Sequence, residues 1–219
     1  MNASQHNIPH GSPLSLDHPG SATSFATVRL AGSLPAYIER ELLEQKQACR
    51  DILASISRAS EKGVVVEEEE LLCLEEFDRH LMKHGSGPDW LSHAEVAALV
   101  ADALRQGDRK AYDLWLYCIM PNHIHCVIDT SRFHDNMAPV PRPVSTLKRH
   151  TAHEANRILK RSGIFWHHEH LEYPVRTSRI FHRILWNVLS DPVRSGICRT
   201  WYEWPWSYCR PGLLLPGTK

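Results

Sequence analysis

The 219-residue sequence predicts an α+β protein, an antiparallel sheet with helices packed on one face. Three observations lead there. Tyr112 to Met120 and His123 to Thr130 are apolar runs on either side of a Pro121-Asn122 break, as expected of paired, mostly buried strands. Ser24 to Leu30 alternates Phe25, Thr27 and Arg29 with Ala26, Val28 and Leu30, the period of a strand. The segments between and after these runs carry apolar residues at helical spacing.

In chain order, residues 1–23 are expected to form a disordered tail. Met1 to Gly20 is rich in Pro, Gly, Ser, Asn and His and lacks the basic start and apolar run of a signal peptide. After the first strand, Ser33 can cap a helix that Pro35 helps to start, running to about Ser60 with Leu42, Leu43, Ile52, Leu53 and Ile56 on its apolar face. Glu61-Lys62-Gly63 reads as a break. A second helix is expected from about Glu67 to Lys83, carrying Leu71, Leu72, Leu74, Phe77 and Leu81, with Glu67 to Glu70 at its N-terminus, where the dipole favours negative charge. Ser92 is positioned to cap a short helix with Val96, Leu99, Val100 and Leu104 along one side. The two central strands follow, then a proline-containing loop from Arg132 to Pro143. A basic helix is expected over Val144 to Ser162, ended by Gly163, and a last helix over Arg176 to Leu189, stopped by Asp191-Pro192. The aromatic stretch Trp201 to Trp206 should pack back on the domain. The organisation expected is therefore a domain over 24–209 with a helical insertion at about 35–106, and a tail over 210–219.

Composition narrows the class. Apolar residues make up 42% of the chain, and no run approaches the roughly 18–20 apolar residues of a membrane span. The six cysteines are scattered without a C-x-x-C pair, so neither a disulfide framework nor a zinc ribbon is indicated and a cytoplasmic location is expected. Net charge is zero but unevenly placed: Glu39 to Asp108 holds 8 basic and 16 acidic residues, Arg142 to Arg199 holds 11 and 4. Such a split fits either a nucleic-acid surface on the basic half or two solvated helical faces.

His123-Ile124-His125 carries the most chemistry. On a strand, residues i and i+2 share a face, so both imidazoles project together while Ile124 enters the core. Neutral imidazoles side by side can bind a divalent cation, with a third ligand from elsewhere in the fold. In a chain with 15 histidines, two ordinary strand histidines are the alternative. The run His167-His168-Glu169-His170 is either a second metal site or a polar loop, and Trp166 either stacks on an unpaired base or is buried.

Met120-Pro121-Asn122-His123-Ile124-His125 resembles the M-P-N-H-x-H signature of REP-associated tyrosine transposases, a family of His-hydrophobic-His single-strand nucleases. The resemblance spans roughly Ser24 to Ser207. Phe25 to Pro35 looks like the family's first strand and turn, and Gly87-Pro88-Asp89-Trp90-Leu91 like its G-P-x-W-L turn. The segment Ser145 to Asn156 with Gly163-Ile164-Phe165-Trp166 looks like its basic helix and G-x-F-W. Val175-Arg176 matches its V-R, Asp191-Pro192-Val193-Arg194-Ser195-Gly196 its N-P-V-x-A-G, and Trp204-Pro205-Trp206-Ser207 its W-P-W-S. The resemblance implies a ferredoxin-like fold, DNA in single-stranded or hairpin form as partner, no membrane, and a monomer or homodimer. It also implies a Mg²⁺ or Mn²⁺ cofactor held by the histidines and a third polar side chain, and a tyrosine that attacks the scissile phosphate. The covalent link conserves phosphodiester energy for rejoining. Lys148, Arg149, Arg157, Lys160, Arg161 and Arg176 are then the candidate phosphate contacts, against the alternative of a solvated basic helix face.

The pattern departs from the family at its last helix. The family's Y-I-x-x-N-P aligns with Asn187-Val188-Leu189-Ser190-Asp191-Pro192, so Asn187 stands at the nucleophile position, and an amide cannot attack. Asp191 replaces the asparagine; it is either the third metal ligand or a helix-ending residue before proline. Tyr173 is the candidate substitute nucleophile, ahead of Tyr202 and Tyr208 in the aromatic tail. Three functions follow: a transposase-type enzyme that cleaves and rejoins hairpin-bearing single-stranded DNA, a module that binds hairpins without cutting, or a metal-dependent phosphodiesterase that uses water.

Overall fold

The computed structural model describes residues 22–55, 59–83, 87–133 and 143–213. The tail expected over 1–23 lies outside these residues except for its last two. Most of the loop from Arg132 to Pro143 and the end of the 210–219 tail also lie outside them.

Five strands, β1 (Thr23–Arg29), β2 (Asp113–Ile119), β3 (His123–Asp129), β4 (Leu171–Pro174) and β5 (Ser207–Cys209), form one sheet in the order β4-β1-β3-β2-β5. Every neighbouring pair is antiparallel. The helices are α1 (Ala36–Ser55), α2 (Ala59–Lys83), α3 (Ala94–Gly107), α4 (Pro143–Ile158) and α5 (Ser178–Arg194). Taken along the chain, β1-α3-β2-β3-α4-β4 with spatial order 4-1-3-2 is the ferredoxin-like arrangement.

The α+β class and its antiparallel sheet are as expected. Helices α3 and α4 pack on one face, where Val96, Val100, Leu104, Val144, Leu147 and Ala155 meet Val28, Leu30, Ile124, Cys126 and Ile128. Expecting helices on one face alone, however, left out a second cover. Ile180, Ile184 and Val188 of α5, with Leu71 and Leu74 of α2, pack on Phe25, Leu116, Cys118 and Val127 of the opposite face. The reason lies in the strands themselves: nearly every residue of β2 and β3 is buried and most are apolar on both faces, so both faces must be shielded from water.

Several boundaries also differ. Helix α2 begins at Ala59, so Gly63 lies inside it and Glu67 to Glu70 sit mid-helix. The acidic run serves a tertiary contact, with Glu68 reaching Arg179 and Arg183 of α5. The Ser33 hydroxyl accepts from Arg29 Nη1 at 3.4 Å, and α1 starts from the Pro35 carbonyl, which accepts from Ile38 and Glu39. The residue capping α3 is His93. Helix α5 continues through Pro192 to Arg194, although the proline has no N–H to give the Val188 carbonyl one turn back. The aromatic tail packs back as expected. Trp204 Nε1 donates to the Ile119 carbonyl at 2.9 Å, and the chain then adds the short edge strand β5 to β2.

The end of α3 is tightly fitted. Tyr112 is buried, and its hydroxyl donates to the Leu104 carbonyl at 2.8 Å. A Cβ on Gly107 would lie 2.3 Å from that hydroxyl oxygen and 2.4 Å from Cζ of the ring. Gly107→Ala should therefore lower unfolding free energy by roughly 1–3 kcal/mol, as overpacking does. A urea midpoint equal to wild type would show that the ring has room to move.

Candidate metal centre

Strand β3 sends Ile124 into the core under α3 and α4, and His123 and His125 to the other face, beneath α2 and α5. The two rings stand edge to face with centroids 4.6 Å apart, and both side chains are buried. Each ring has its Nδ1 occupied. Asn122 Nδ2 donates to the Leu81 carbonyl at 2.9 Å, which aims its Oδ1 at His123 Nδ1, 2.6 Å away. An amide oxygen only accepts, so His123 carries its proton on Nδ1 and presents the Nε2 lone pair to the cluster. His125 Nδ1 lies 2.9 Å from Thr27 Oγ1, its partner across the β1–β3 ladder, and Phe25 stacks on the ring. This is the outer-shell support that ligating histidines need. Burial pushes the His123 pKa down to about 3; burial, with His123 and Arg194 nearby, holds His125 well below the usual range.

Asp191, near the end of α5, faces the same spot. Its Oδ2 lies 3.4 Å from His125 Nε2, and ligand atoms of His123, His125 and Asp191 all lie within 4.8 Å of one another. Burial pushes the Asp191 pKa up to about 7, opposed by Arg194, whose Nη1 is 3.8 Å from Oδ1. Helix α2 contributes a carboxylate that the sequence did not single out: Asp78 Oδ1 lies 3.5 Å from His125 Nε2. Burial, then the charge of Asp191, raise its pKa well above the carboxylate range. A signal for it was present. Leu71, Leu74, Asp78 and Leu81 recur at spacings of three and four, so an acid occupies the apolar stripe of α2. His123 Nε2, His125 Nε2, both Asp191 oxygens and Asp78 Oδ1 are buried without a hydrogen bond. Unsatisfied buried atoms of this kind are costly unless a further group joins them, and two imidazoles with carboxylate oxygens suit a divalent cation.

The other candidates are dispersed. Asn187 sits one turn before Asp191, and its Nδ2 donates to Glu75 Oε1 at 2.9 Å. Tyr173 lies opposite Phe25 on β4, buried among the apolar residues of that face. It is one strand beyond β1 and two residues along from Thr27, about 12 Å from His125 between Cα atoms by standard sheet spacings. Tyr202 is exposed, and Tyr208 stacks on Tyr117 on the opposite face of the sheet. The apolar side of α4 also packs on that opposite face. Of the basic candidates, Lys148 Nζ donates to the His168 carbonyl at 2.8 Å and Arg157 pairs with Glu154. Arg161 lies 3.6 Å over the Trp90 ring and donates to the Ile164 carbonyl. Arg149, Lys160 and Arg176 are exposed. Trp166 is buried, its Nε1 donating to Thr151 Oγ1 at 2.9 Å. In the loop over 167–170, the histidines face Glu39, Glu169 and Glu172 separately; among the described residues, ligand atoms converge only at His123, His125 and Asp191. Part of the charge asymmetry is internal, since Arg183 pairs with Glu68 and Glu75 and Arg179 with Glu68.

No protein-family model and no curated protein matches the chain. One solved structure similar to it is described as a REP-associated tyrosine transposase bound to a REP hairpin. The TM-score is 0.47 and the identity 11%, over 94% of this chain and 82% of that one. Among the described residues, no helix is long and apolar enough to cross a membrane.

The sign of a pH effect follows from Asp191. Its pKa is higher folded than unfolded, so the folded state binds the extra proton between about pH 4 and 7, and stability from this group declines as pH rises through that window. In EDTA, the stability of wild type relative to Asp191→Asn should fall by on the order of 1 kcal/mol per pH unit between pH 4.5 and 7. A difference independent of pH would mean that Asp191 is ionised when folded.

Proposed function

We propose that this chain is a DNA-binding protein of the transposase type that holds single-stranded, hairpin-bearing DNA and keeps a Mg²⁺ or Mn²⁺ centre, but forms no tyrosine link to its substrate. One observation carries the reading: His123, His125 and Asp191 converge, from the two segments that align with the family's histidine motif and the end of its catalytic helix. A cation held by His123, His125 and Asp191 would supply positive charge to balance the buried carboxylate. Asn122 and Thr27 orient the two rings for it.

The nucleophile does not accompany the metal ligands. Asn187 has no hydroxyl to deprotonate, and its amide is engaged with Glu75. Tyr173 packs among the apolar residues of that face, about 12 Å from His125 between Cα atoms by standard sheet spacings. Both facts favour binding without a covalent intermediate over cleavage and rejoining. For the DNA itself, Arg149, Lys160 and Arg176 offer exposed cations. Arg157 and Arg161 are partly committed within the protein, so they contribute less. Since α4 lies across the sheet from the histidines, a strand held by both regions would pass the β4 edge, where Lys148 meets the loop over 167–170 and Arg176 follows.

Incubation with end-labelled hairpin DNA and Mn²⁺ tests this reading. Native gels should show a complex, and denaturing gels no protein–DNA adduct. An adduct abolished by Tyr173→Phe would overturn the non-covalent reading; cleavage without an adduct would replace it with hydrolysis by water. A second measurement addresses the surface. Arg149→Ala with Lys160→Ala should weaken binding similarly for different hairpin sequences and reduce the salt slope by about 1 to 2, as expected when up to two phosphate contacts are lost. An unchanged slope would place the DNA elsewhere.

A further inference from the structure

We propose that Asp78 is a fourth protein ligand of the cation, so that the ion ties the inserted helix α2 to β3 and α5. This rests on the metal reading above and extends it to a residue outside the aligned segments. Asp78 Oδ1 and Asp191 Oδ2 approach the same nitrogen, His125 Nε2, at 3.5 and 3.4 Å. Neither contact is a hydrogen bond. Both spacings to His125 are near those of adjacent ligands around one ion: with metal–ligand distances near 2.1 Å, neighbouring donor atoms lie about 3.0–3.4 Å apart. Asp78 stands just outside the set of His123, His125 and Asp191, whose ligand atoms all lie within 4.8 Å of one another, so its side chain would draw in on binding.

Charge points the same way. Two carboxylates, 6% and 1% exposed, face two neutral imidazoles, with no cation buried among them. Arg194 is half-exposed and stands 3.8 Å from Asp191. A divalent ion balances two carboxylates and satisfies the orphaned atoms together. It also accounts for an acid in a stripe otherwise made of Leu71, Leu74 and Leu81.

The test uses the full chain and Mn²⁺ alone, with affinity read by calorimetry and by loss of the free-ion paramagnetic resonance signal. Removing a mere orienting partner lowers metal affinity 10–100-fold, so losing a ligand should cost at least tenfold. Asp78→Asn should weaken Mn²⁺ binding by that much or more, and the metal should no longer slow amide exchange in α2 around Leu74 to Leu81. In EDTA the same variant should melt at or above the wild-type temperature, because a neutral amide replaces a buried carboxylate facing Asp191. Asp78→Leu, which completes the apolar stripe, should melt higher still in EDTA and gain less from Mn²⁺ than wild type does. Wild-type Mn²⁺ affinity in both variants would overturn this proposal while leaving the His123–His125–Asp191 centre intact. Absence of Mn²⁺ binding by the wild type would overturn the centre itself.

Discussion

The register of β1 against β3 is the constraint on which the rest depends. Thr27 faces His125 and Arg29 faces His123 across this ladder, and that pairing decides which side of the sheet receives the imidazoles. A slip of one residue would turn both rings toward Val100 and Leu147 and expose Ile124 on the opposite side. The register is protected because both faces are apolar. Ala26, Val28, Cys126 and Ile128 belong under α3 and α4, Phe25 and Val127 under α5, and the two sets do not exchange without losing burial on both sides. Thr27 and the histidines are thus polar groups held in place by the apolar residues around them.

The second organising contact joins α2 to α5. Glu68 meets Arg179 and Arg183, Glu75 meets Arg183 and Asn187, and Asp78 lies over His125 beside Asp191. The sequence shows this as an acidic half preceding a basic half, a pattern that nucleic-acid binding and intramolecular pairing produce equally well. The structure divides the basic residues into a paired set and an exposed set. Arg179, Arg183 and Arg194 turn toward α2 and the carboxylates, while Arg149, Lys160 and Arg176 face water. Exposed pairs such as Arg179–Glu68 add little stability. Their role is to set where along α5 the inserted helix lies, which places Asp78.

What could be read in advance was what depends on local pattern. The central hairpin, β1, the shared face of His123 and His125 and the helical content all follow from periods of two and about 3.6. The strands β4 and β5 did not, because four and three residues at a sheet edge are fixed by their neighbours and not by their own pattern. The end of α5 differs from the sequence expectation because Asp191-Pro192 reads as a stop, whereas the helix runs through the proline to Arg194 at the cost of one backbone hydrogen bond. Asp78 is the instructive case. Its stripe of leucines is visible in the sequence, but apolar periodicity marks a face for burial and says nothing of why one member of that face is an acid.

The identity of residue 187 and the closure over the histidines have one geometric origin. Asn187 and Asp191 are one turn apart on α5, so they present to the same neighbours. Where the aligned family places an attacking hydroxyl, this chain has an amide that donates to Glu75, and one turn on it has a carboxylate set against the histidines with Asp78 nearby. Both positions thereby face α2. A side chain that had to reach a phosphate would need that space open to solvent, whereas one that receives α2 needs it filled. The two positions are therefore coupled through α2: its Glu75 takes the Asn187 amide, and its Asp78 shares His125 Nε2 with Asp191.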